Sequence, residues 1–372
     1  MSQLLLRQLW LTNWRKFDDY LWEVQKPVSL FCAPNASGKT SILEAIGFLS
    51  SSSSFRDALT PDLINFDKEL SRIAAVIQQE GKPATDRLEI MLTRGQVNGK
   101  RTNSKLYSLN FAGKRKKDFI GQFGAVIFCP EDMRLIEGSP HRRRRWMNYL
   151  LATLDDKYAQ ALKNYEAILL RRNKLLSDIK DQKQGKEALS YYNQGLLKYG
   201  MLLQQKRADL AAFCSQLILP LDFNFIFEPS LINEERLSSY LDKEYIVGHT
   251  LIGPQKDDFH LQYNFAPPSQ PARHLNIATF GSRGQQRLGV LYLKLCELKF
   301  NESVLSTRVG ENHRPLLLLD DIFSELDESA QKLVISLMED YQTILTTAQE
   351  ATKELLVQAL PDNRLEVVDL AS

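Results

Sequence analysis

The chain has 372 residues, of which 44% are apolar and 25% charged, with a formal net charge of +2. That is ordinary globular composition: it excludes a disordered or collagen-like polymer and leaves room for about two or three domains. Cys32, Cys129, Cys214 and Cys296 are widely spaced with no C-x-x-C pair, which excludes zinc-type spacing and argues against a disulfide framework. No apolar run reaches the ~20 residues of a bilayer span, and residues 1–15 do not read as a signal peptide. A reducing compartment, the cytoplasm, is the expected location.

In chain order, residues 4–11, 20–25 and 28–32 read as strands, the last fully apolar or small and therefore buried. A turn-rich loop follows at residues 33–38, then a helix over 39–49 with Ile42, Leu43, Ile46 and Leu49 at helical spacing. The serine run at residues 50–54 reads as a loop. Residues 71–79 and 87–94 read as paired strands, Asn98-Gly99 as a hairpin turn, and residues 125–128 as a buried strand stopped by Pro130. Further on, apolar residues recur at Leu154, Tyr158, Leu162, Tyr165, Leu169, Leu176 and Ile179. A second series at Leu189, Leu196, Leu203, Leu210 and Leu217 is spaced by seven. With Gly185 between them, the two series are either an antiparallel helical arm or a pair of ordinary core-packed helices, closed by Pro220. Residues 245–252 and 258–264 look strand-like, residues 285–300 helical, and residues 316–319 form another buried strand. The division expected is 1–150, an inserted helical segment 151–220 extending at most to about 245, and 221–372.

The small net charge conceals an asymmetry. Residues 1–150 carry 23 basic and 15 acidic side chains, and residues 311–372 carry 4 basic and 13 acidic. Residues 100–117 hold seven cations and no acid, ending in Lys114, Arg115, Lys116 and Lys117, and Arg142, Arg143, Arg144 and Arg145 form a second run. Such clusters either neutralise nucleic-acid phosphates or are solvated surface; the arginines could also pair with acids of their own domain.

The sharpest signal is Ala33-Pro34-Asn35-Ala36-Ser37-Gly38-Lys39-Thr40, a P-loop pattern with alanine in place of its first glycine. Backbone N–H groups and the helix N-terminus surround phosphates in such a loop. Lys39 is placed to reach the β- and γ-phosphates and the Thr40 hydroxyl to bind Mg²⁺. Ala33 is tolerable provided its φ stays negative. Leu316-Leu317-Leu318-Leu319-Asp320-Asp321 supplies the acidic partner, Asp320 for the metal and Asp321 for the attacking water; the plainer reading is a helix N-cap. Upstream, Ser282-Arg283-Gly284-Gln285-Gln286 opens a helix, and Ser324-Glu325-Leu326-Asp327 follows the acids. Ser282, Gly284 and Gln285 resemble the signature motif of ABC-type ATPases, which contacts ATP held by a second subunit.

Taken together, the chain resembles the RecF family, ATPases related to the heads of SMC-type chromosome proteins. Leu11-Thr12-Asn13-Trp14-Arg15, the block from Pro130 through Gly138-Ser139-Pro140 to Trp146, Leu251-Ile252-Gly253-Pro254, and Leu319-Asp320-Asp321-Ile322-Phe323-Ser324-Glu325-Leu326-Asp327 carry the resemblance end to end. It departs at Ala33, at Gln255-Lys256 where the family usually reads His-Arg, and at Thr347, the position of the ABC H-loop histidine. The resemblance implies an α/β, ABC-type head with an antiparallel β subdomain and a short inserted helical arm. It also implies ATP and Mg²⁺ as cofactors, an ATP-dependent homodimer, weak DNA-stimulated hydrolysis, and contact with single-stranded or gapped DNA. RecR with RecO would be partners, in RecA loading and SOS induction. Another SMC-like or overcoming-lysogenisation-type repair ATPase is the alternative, and an ABC transporter subunit a more distant one.

Overall fold

The computed structural model describes residues 4–56, 58–182, 188–265, 273–309 and 313–370. Gly185, expected between the two helical series, lies outside these. The chain divides into two compact units, Met1–Glu131 with Glu297–Ser372, and Asp132–Cys296 between them in sequence.

The first unit opens with a hairpin, β1 (Leu4–Trp14) and β2 (Phe17–Glu23), then β3 (Val28–Cys32) and α1 (Lys39–Ser51). Along β1 the buried set passes from Leu4 and Leu6 to Leu9 and Leu11, because a register shift between Leu6 and Gln8 moves the inward face by one residue. α1 continues past the expected loop start to Ser51, whose hydroxyl bonds back to Gly47 O at 2.9 Å, and stops where Ser52 turns left-handed at φ 59. After α2 (Thr60–Leu63) come β4 (Leu70–Gln79), β5 (Thr85–Thr93), the small hairpin β6 (Gln96–Val97) and β7 (Lys100–Arg101), then β8 (Lys105–Leu109), β9 (Ala112–Lys114), α3 (Lys116–Phe119) and β10 (Ala125–Phe128). Asn98 and Gly99 form the β6–β7 turn with φ 49 and 72, as their sequence predicts.

The second unit holds α4 (Arg134–Glu137), α5 (Pro140–Leu154), α6 (Asp156–Lys180), α7 (Leu189–Gln216), β11 (Phe223–Glu228), α8 (Glu234–Val247), β12 (Asp258–Phe265), β13 (Arg273–Asn276) and α9 (Ile277–Phe280). The heptad leucines Leu189, Leu196, Leu203 and Leu210 are all buried, so the periodicity marks the true inner face of α7. α6 and α7 also bury Arg172 and Arg207, which pair with Glu244 at 2.6 Å and Asp257 at 2.7 Å. Unpaired, either buried charge would cost about 3–5 kcal/mol, so the helix pair is built to be covered by α8 and the loop before β12. The compact unit is accordingly wider than residues 151–220. Residues 245–252 are not a strand. Tyr245, Ile246 and Val247 end α8, where Gly248 caps at φ 81 and donates to Glu244 O at 2.8 Å; β-favouring side chains yield to the helical burial of Leu237 and Glu244. The three strands form a sheet in the order β11-β12-β13.

α10 (Arg283–Val309) carries the division between the units, and the chain returns to the first unit with β14 (Leu316–Asp320), α11 (Glu328–Asp340), β15 (Thr343–Thr347), α12 (Glu350–Ala359) and β16 (Leu365–Val368). Two sheets result there: antiparallel β2-β1-β4-β5-β8-β9 and parallel β10-β14-β15-β3-β16. Gln342 links them, its side chain accepting from Leu6 N at 2.7 Å and donating to Leu6 O at 2.9 Å. Among the described residues no helix is long and apolar enough to cross a membrane.

Candidate nucleotide site

β3, β14 and β15 are parallel neighbours, so their C-terminal ends deliver Ala33, Asp320-Asp321 and Thr347 to one edge of the sheet, where α/β folds hold ligands. Ala33 keeps out of the left-handed region, so alanine fits there as expected, and its N–H donates to Thr347 O at 3.2 Å. Ala36 and Gly38 turn the loop at φ 63 and 99. A Cβ on Gly38 would stand 2.5 Å from Lys16 Cε and 2.9 Å from Phe17 Cζ, so this glycine serves close packing against the β1–β2 hairpin as well as backbone conformation. Lys39 begins α1, is buried, and donates to the carbonyls of Ala33 and of Pro34, the second at 2.8 Å. Burial pushes its ammonium below the usual lysine range, opposed by the charges of Asp321 and Asp320.

Asp320 Oδ1 accepts from Thr40 Oγ1 at 2.9 Å and from Thr346 Oγ1 at 2.7 Å. Burial raises the Asp320 carboxyl above its ordinary range, with the two threonine hydroxyls opposing the shift. A carboxylate buried beside hydroxyls, without a guanidinium or ammonium bonded to it, fits a hard divalent cation. Ser37 Oγ is buried in the same loop with no hydrogen-bond partner. Among the described residues no group of three or more His, Cys, Asp or Glu side chains could hold a metal. Thr40 and Asp320 therefore fit the Mg²⁺ mode in which one or two protein oxygens act with phosphate and water.

Asp321 stands in the left-handed region at φ 51, which aspartate tolerates better than most residues. Its N–H donates to Thr346 O at 3.1 Å and its Oδ1 accepts from Thr347 Oγ1 at 3.4 Å. Thr347 thus orients Asp321, a role the sequence offered only as a departure from a histidine.

A cavity of about 390 Å³ opens over these groups, lined also by Arg15, Lys16, Arg56 and Glu131. The sequence marked Arg15 and the block holding Glu131 only as carriers of the family resemblance, not as site residues, and held no local signal for Lys16 or Arg56. Arg15 is held by Glu44 through bonds of 2.9 and 2.7 Å, and Glu44, wholly buried on α1, also accepts from Ser54 Oγ at 2.5 Å. Trp14 Nε1 donates to Ser41 O at 2.7 Å. The Trp14-Arg15 pair thereby fixes the first turns of α1, and with them Lys39 and Thr40, against the antiparallel sheet.

Ser282, Gly284 and Gln285 belong to the second unit. Ser282 Oγ accepts from Gln285 N at 3.3 Å while Gln285 Oε1 accepts from Ser282 N at 2.8 Å, a capping box that opens α10. Ser282 and Gly284 are exposed, with an accessible helix N-terminus behind them.

The two basic runs differ. Lys114, Arg115, Lys116 and Lys117 are exposed at the edge of the antiparallel sheet, with Arg115 bonded to Asp118 at 2.8 Å. Arg142 is exposed, but Arg143 is bonded to both carboxylate oxygens of Asp258 at 2.6 and 2.8 Å and to Gly138 O at 2.7 Å, and Arg144 donates to Asp257 O at 2.9 Å. Half of that run is therefore internal wiring of the second unit, and Arg143 has its anion already.

The RecF/RecN/SMC N terminal domain family matches residues 5–361. Proteins named DNA replication and repair protein RecF are 33% identical in Natranaerobius thermophilus, over 92% of this chain and 90% of that one, and 32% identical in Acaryochloris marina, over 92% of each. Among solved structures, the recombination mediator protein RecF with ATPrS, described in the RecFOR pathway, superposes with TM-score 0.78 at 26% identity over 93% of both chains; its ATP form gives 0.76. A P-loop head of ABC type, matched along nearly its whole length, makes this chain a member of the RecF family.

Proposed function

We propose that the chain is an ATP-dependent DNA-binding protein of replication and recombinational repair. The observation that carries the reading is the convergence of Lys39, Thr40, Asp320 and Asp321 from the ends of two parallel strands, β3 and β14, into one cavity. ATP binds with its phosphates on the 33–40 loop and the N-terminus of α1, where Lys39 meets the β- and γ-oxygens. Mg²⁺ held by Thr40 and Asp320 supplies charge neutralisation at those oxygens when bound. Asp321, steadied by Thr347, orients the attacking water. Aspartate reaches one methylene less far than glutamate, so turnover is slow and DNA-stimulated at best, fitting a clamp rather than a motor.

The exposed Ser282 turn completes the site from a second copy, so ATP joins two chains into a homodimer and hydrolysis releases them. A Ser282→Arg chain is expected to bind ATP normally as a monomer while hydrolysis falls about 100-fold. Equal loss of both in filter binding and phosphate-release assays would mean that Ser282 does not act across a dimer.

DNA, single-stranded or gapped, meets Lys114, Arg115, Lys116, Lys117 and Arg142. Neutralising the four residues 114–117 should lower the slope of log affinity against log salt by about 3. An unchanged slope excludes that run. In this reading the protein works in the cytoplasm with RecR and RecO to load RecA at gaps and to support SOS induction. The direct test is light scattering with ATP, ADP and gapped DNA: a dimer only with ATP supports the clamp, and nucleotide-independent mass refutes it.

A further inference from the structure

The hairpin between β8 and β9 turns on two residues, Asn110 and Phe111, both left-handed at φ 50 and 65. Mirror-image turns of this kind favour Asn-Gly, since a side chain in the second position strains its own backbone. Asn110 is the ordinary choice and is tied to β5: its N–H donates to Arg87 O at 2.9 Å, its Oδ1 accepts from Arg87 N at 2.8 Å, and its Nδ2 donates to Asp86 Oδ1 at 2.7 Å. Phe111 is the opposite, a bulky ring where glycine belongs, and it is 81% exposed. Neither turn chemistry nor core packing accounts for an aromatic side chain at a strained, rigidly anchored tip. Strain of that sort points to a contact outside the chain.

The surroundings define the contact. The Arg87 guanidinium lies 5.3 Å from the Phe111 ring centroid and 4.7 Å from that of Trp10, a cation between two rings. Beside the tip runs a groove of about 810 Å³ whose lining includes Phe111, Tyr107, Lys105, Lys114, Arg115 and Lys116. Its one carboxylate, Glu89, is already bonded to Arg72 at 3.3 Å and Arg87 at 3.2 Å. Lys105 donates to Ser52 O at 2.7 Å, and burial, aided by the charge of Lys116, lowers its ammonium to about 8. A cationic channel with an exposed aromatic ring at its rim matches an unpaired nucleotide, phosphate over the cations and base on the ring.

We propose that Phe111 is a stacking platform for an unpaired base of single-stranded DNA, whose backbone follows the groove past Lys114 and Lys116. The inference rests on the DNA-binding reading above and deepens it. The basic run attracts any DNA, whereas Phe111 discriminates, because the bases of an intact duplex are already stacked on one another. A gap is then recognised by the strand it leaves uncovered.

The test compares the full chain with Phe111→Gly and Phe111→Trp, by fluorescence anisotropy on a single-stranded oligonucleotide and on a blunt duplex of equal length. Glycine suits the turn, so the melting temperature of the glycine variant should be unchanged or raised, which separates stacking from folding. Its affinity for the single strand should fall roughly 5- to 100-fold, with duplex affinity and salt slope unchanged. Tryptophan should restore single-strand binding and quench a fluorescent base analogue in the oligonucleotide. Parent-like single-strand affinity in Phe111→Gly, or an equal loss on both DNAs, overturns the stacking platform alone. Failure of the parent chain to bind either DNA overturns the DNA-binding reading itself.

Discussion

A Lys39→Ala chain is expected to remain monomeric with ATP at concentrations where the parent chain dimerises. Lys39 is the buried cation of the 33–40 loop, beside Asp320 and Asp321. Its charge-assisted bonds to phosphate are worth about 1.5–3 kcal/mol, so ATP affinity should fall by roughly 10- to 150-fold. In the proposed clamp, dimerisation depends on the nucleotide being held, so it should disappear at ATP concentrations that saturate the parent. The fold should survive. Burial already penalises this ammonium, so its removal relieves a cost while the carbonyls of Ala33 and Pro34 lose their donor. Light scattering and thermal melting together decide the matter: parent-like dimers with ATP sink the clamp, and a collapse of the nucleotide-free melting temperature would reassign Lys39 to structure.

The second large effect has two signs in one variant. Asp320→Asn should raise the melting temperature of the nucleotide-free protein and abolish its further rise with Mg²⁺ and ATP. Burial lifts the Asp320 carboxyl above its unfolded range, so near neutral pH the folded state holds an ionised group it disfavours. An acid raised on folding favours stability below its unfolded range, and that contribution is lost as pH climbs through the folded value. Asparagine escapes this loss while its Oδ1 still accepts from Thr40 and Thr346. The stabilisation of the variant should therefore be present near neutral pH and vanish on acidification below the ordinary carboxylate range. An increment of about 1 kcal/mol corresponds to roughly 2–4 °C in a unit of this size. A variant less stable than the parent at neutral pH, or one that still responds to Mg²⁺ with ATP, contradicts the assignment of Asp320 to the metal.

How much of this was legible follows the range of the interactions. The 33–40 loop, the leucine strand before Asp320 and the Asn98-Gly99 turn announce themselves because backbone geometry and local burial dictate their residues. The leucine heptad of α7 was equally plain. α5 was not, since Arg142 to Arg145 break any apolar period; nor was α8, whose Tyr245, Ile246 and Val247 favour strand. The arginine run shows why charge alone misleads. Arg143 finds its anion at Asp258, Arg207 at Asp257 and Arg172 at Glu244, all far away in sequence. The same distance hid Thr347 behind Asp321 and Glu44 behind Arg15. Local signals name the chemical groups; only the folded chain shows what holds and aims them.

The sheet order β10-β14-β15-β3-β16 bears on how the chain is made. β3 ends at Cys32, yet both of its neighbours follow far behind it in synthesis, β15 beginning at Thr343 and β16 at Leu365. At about 5–20 residues per second, the P-loop strand waits roughly 15–60 s with both hydrogen-bonding edges open. Asp320, Thr346 and Thr347 arrive equally late. On the proposed mechanism, nucleotide capture therefore waits for β14: a product terminated before it carries Lys39 and Thr40 without Asp320 and Asp321, and would not enter the proposed ATP-bound dimer as a poisoned half.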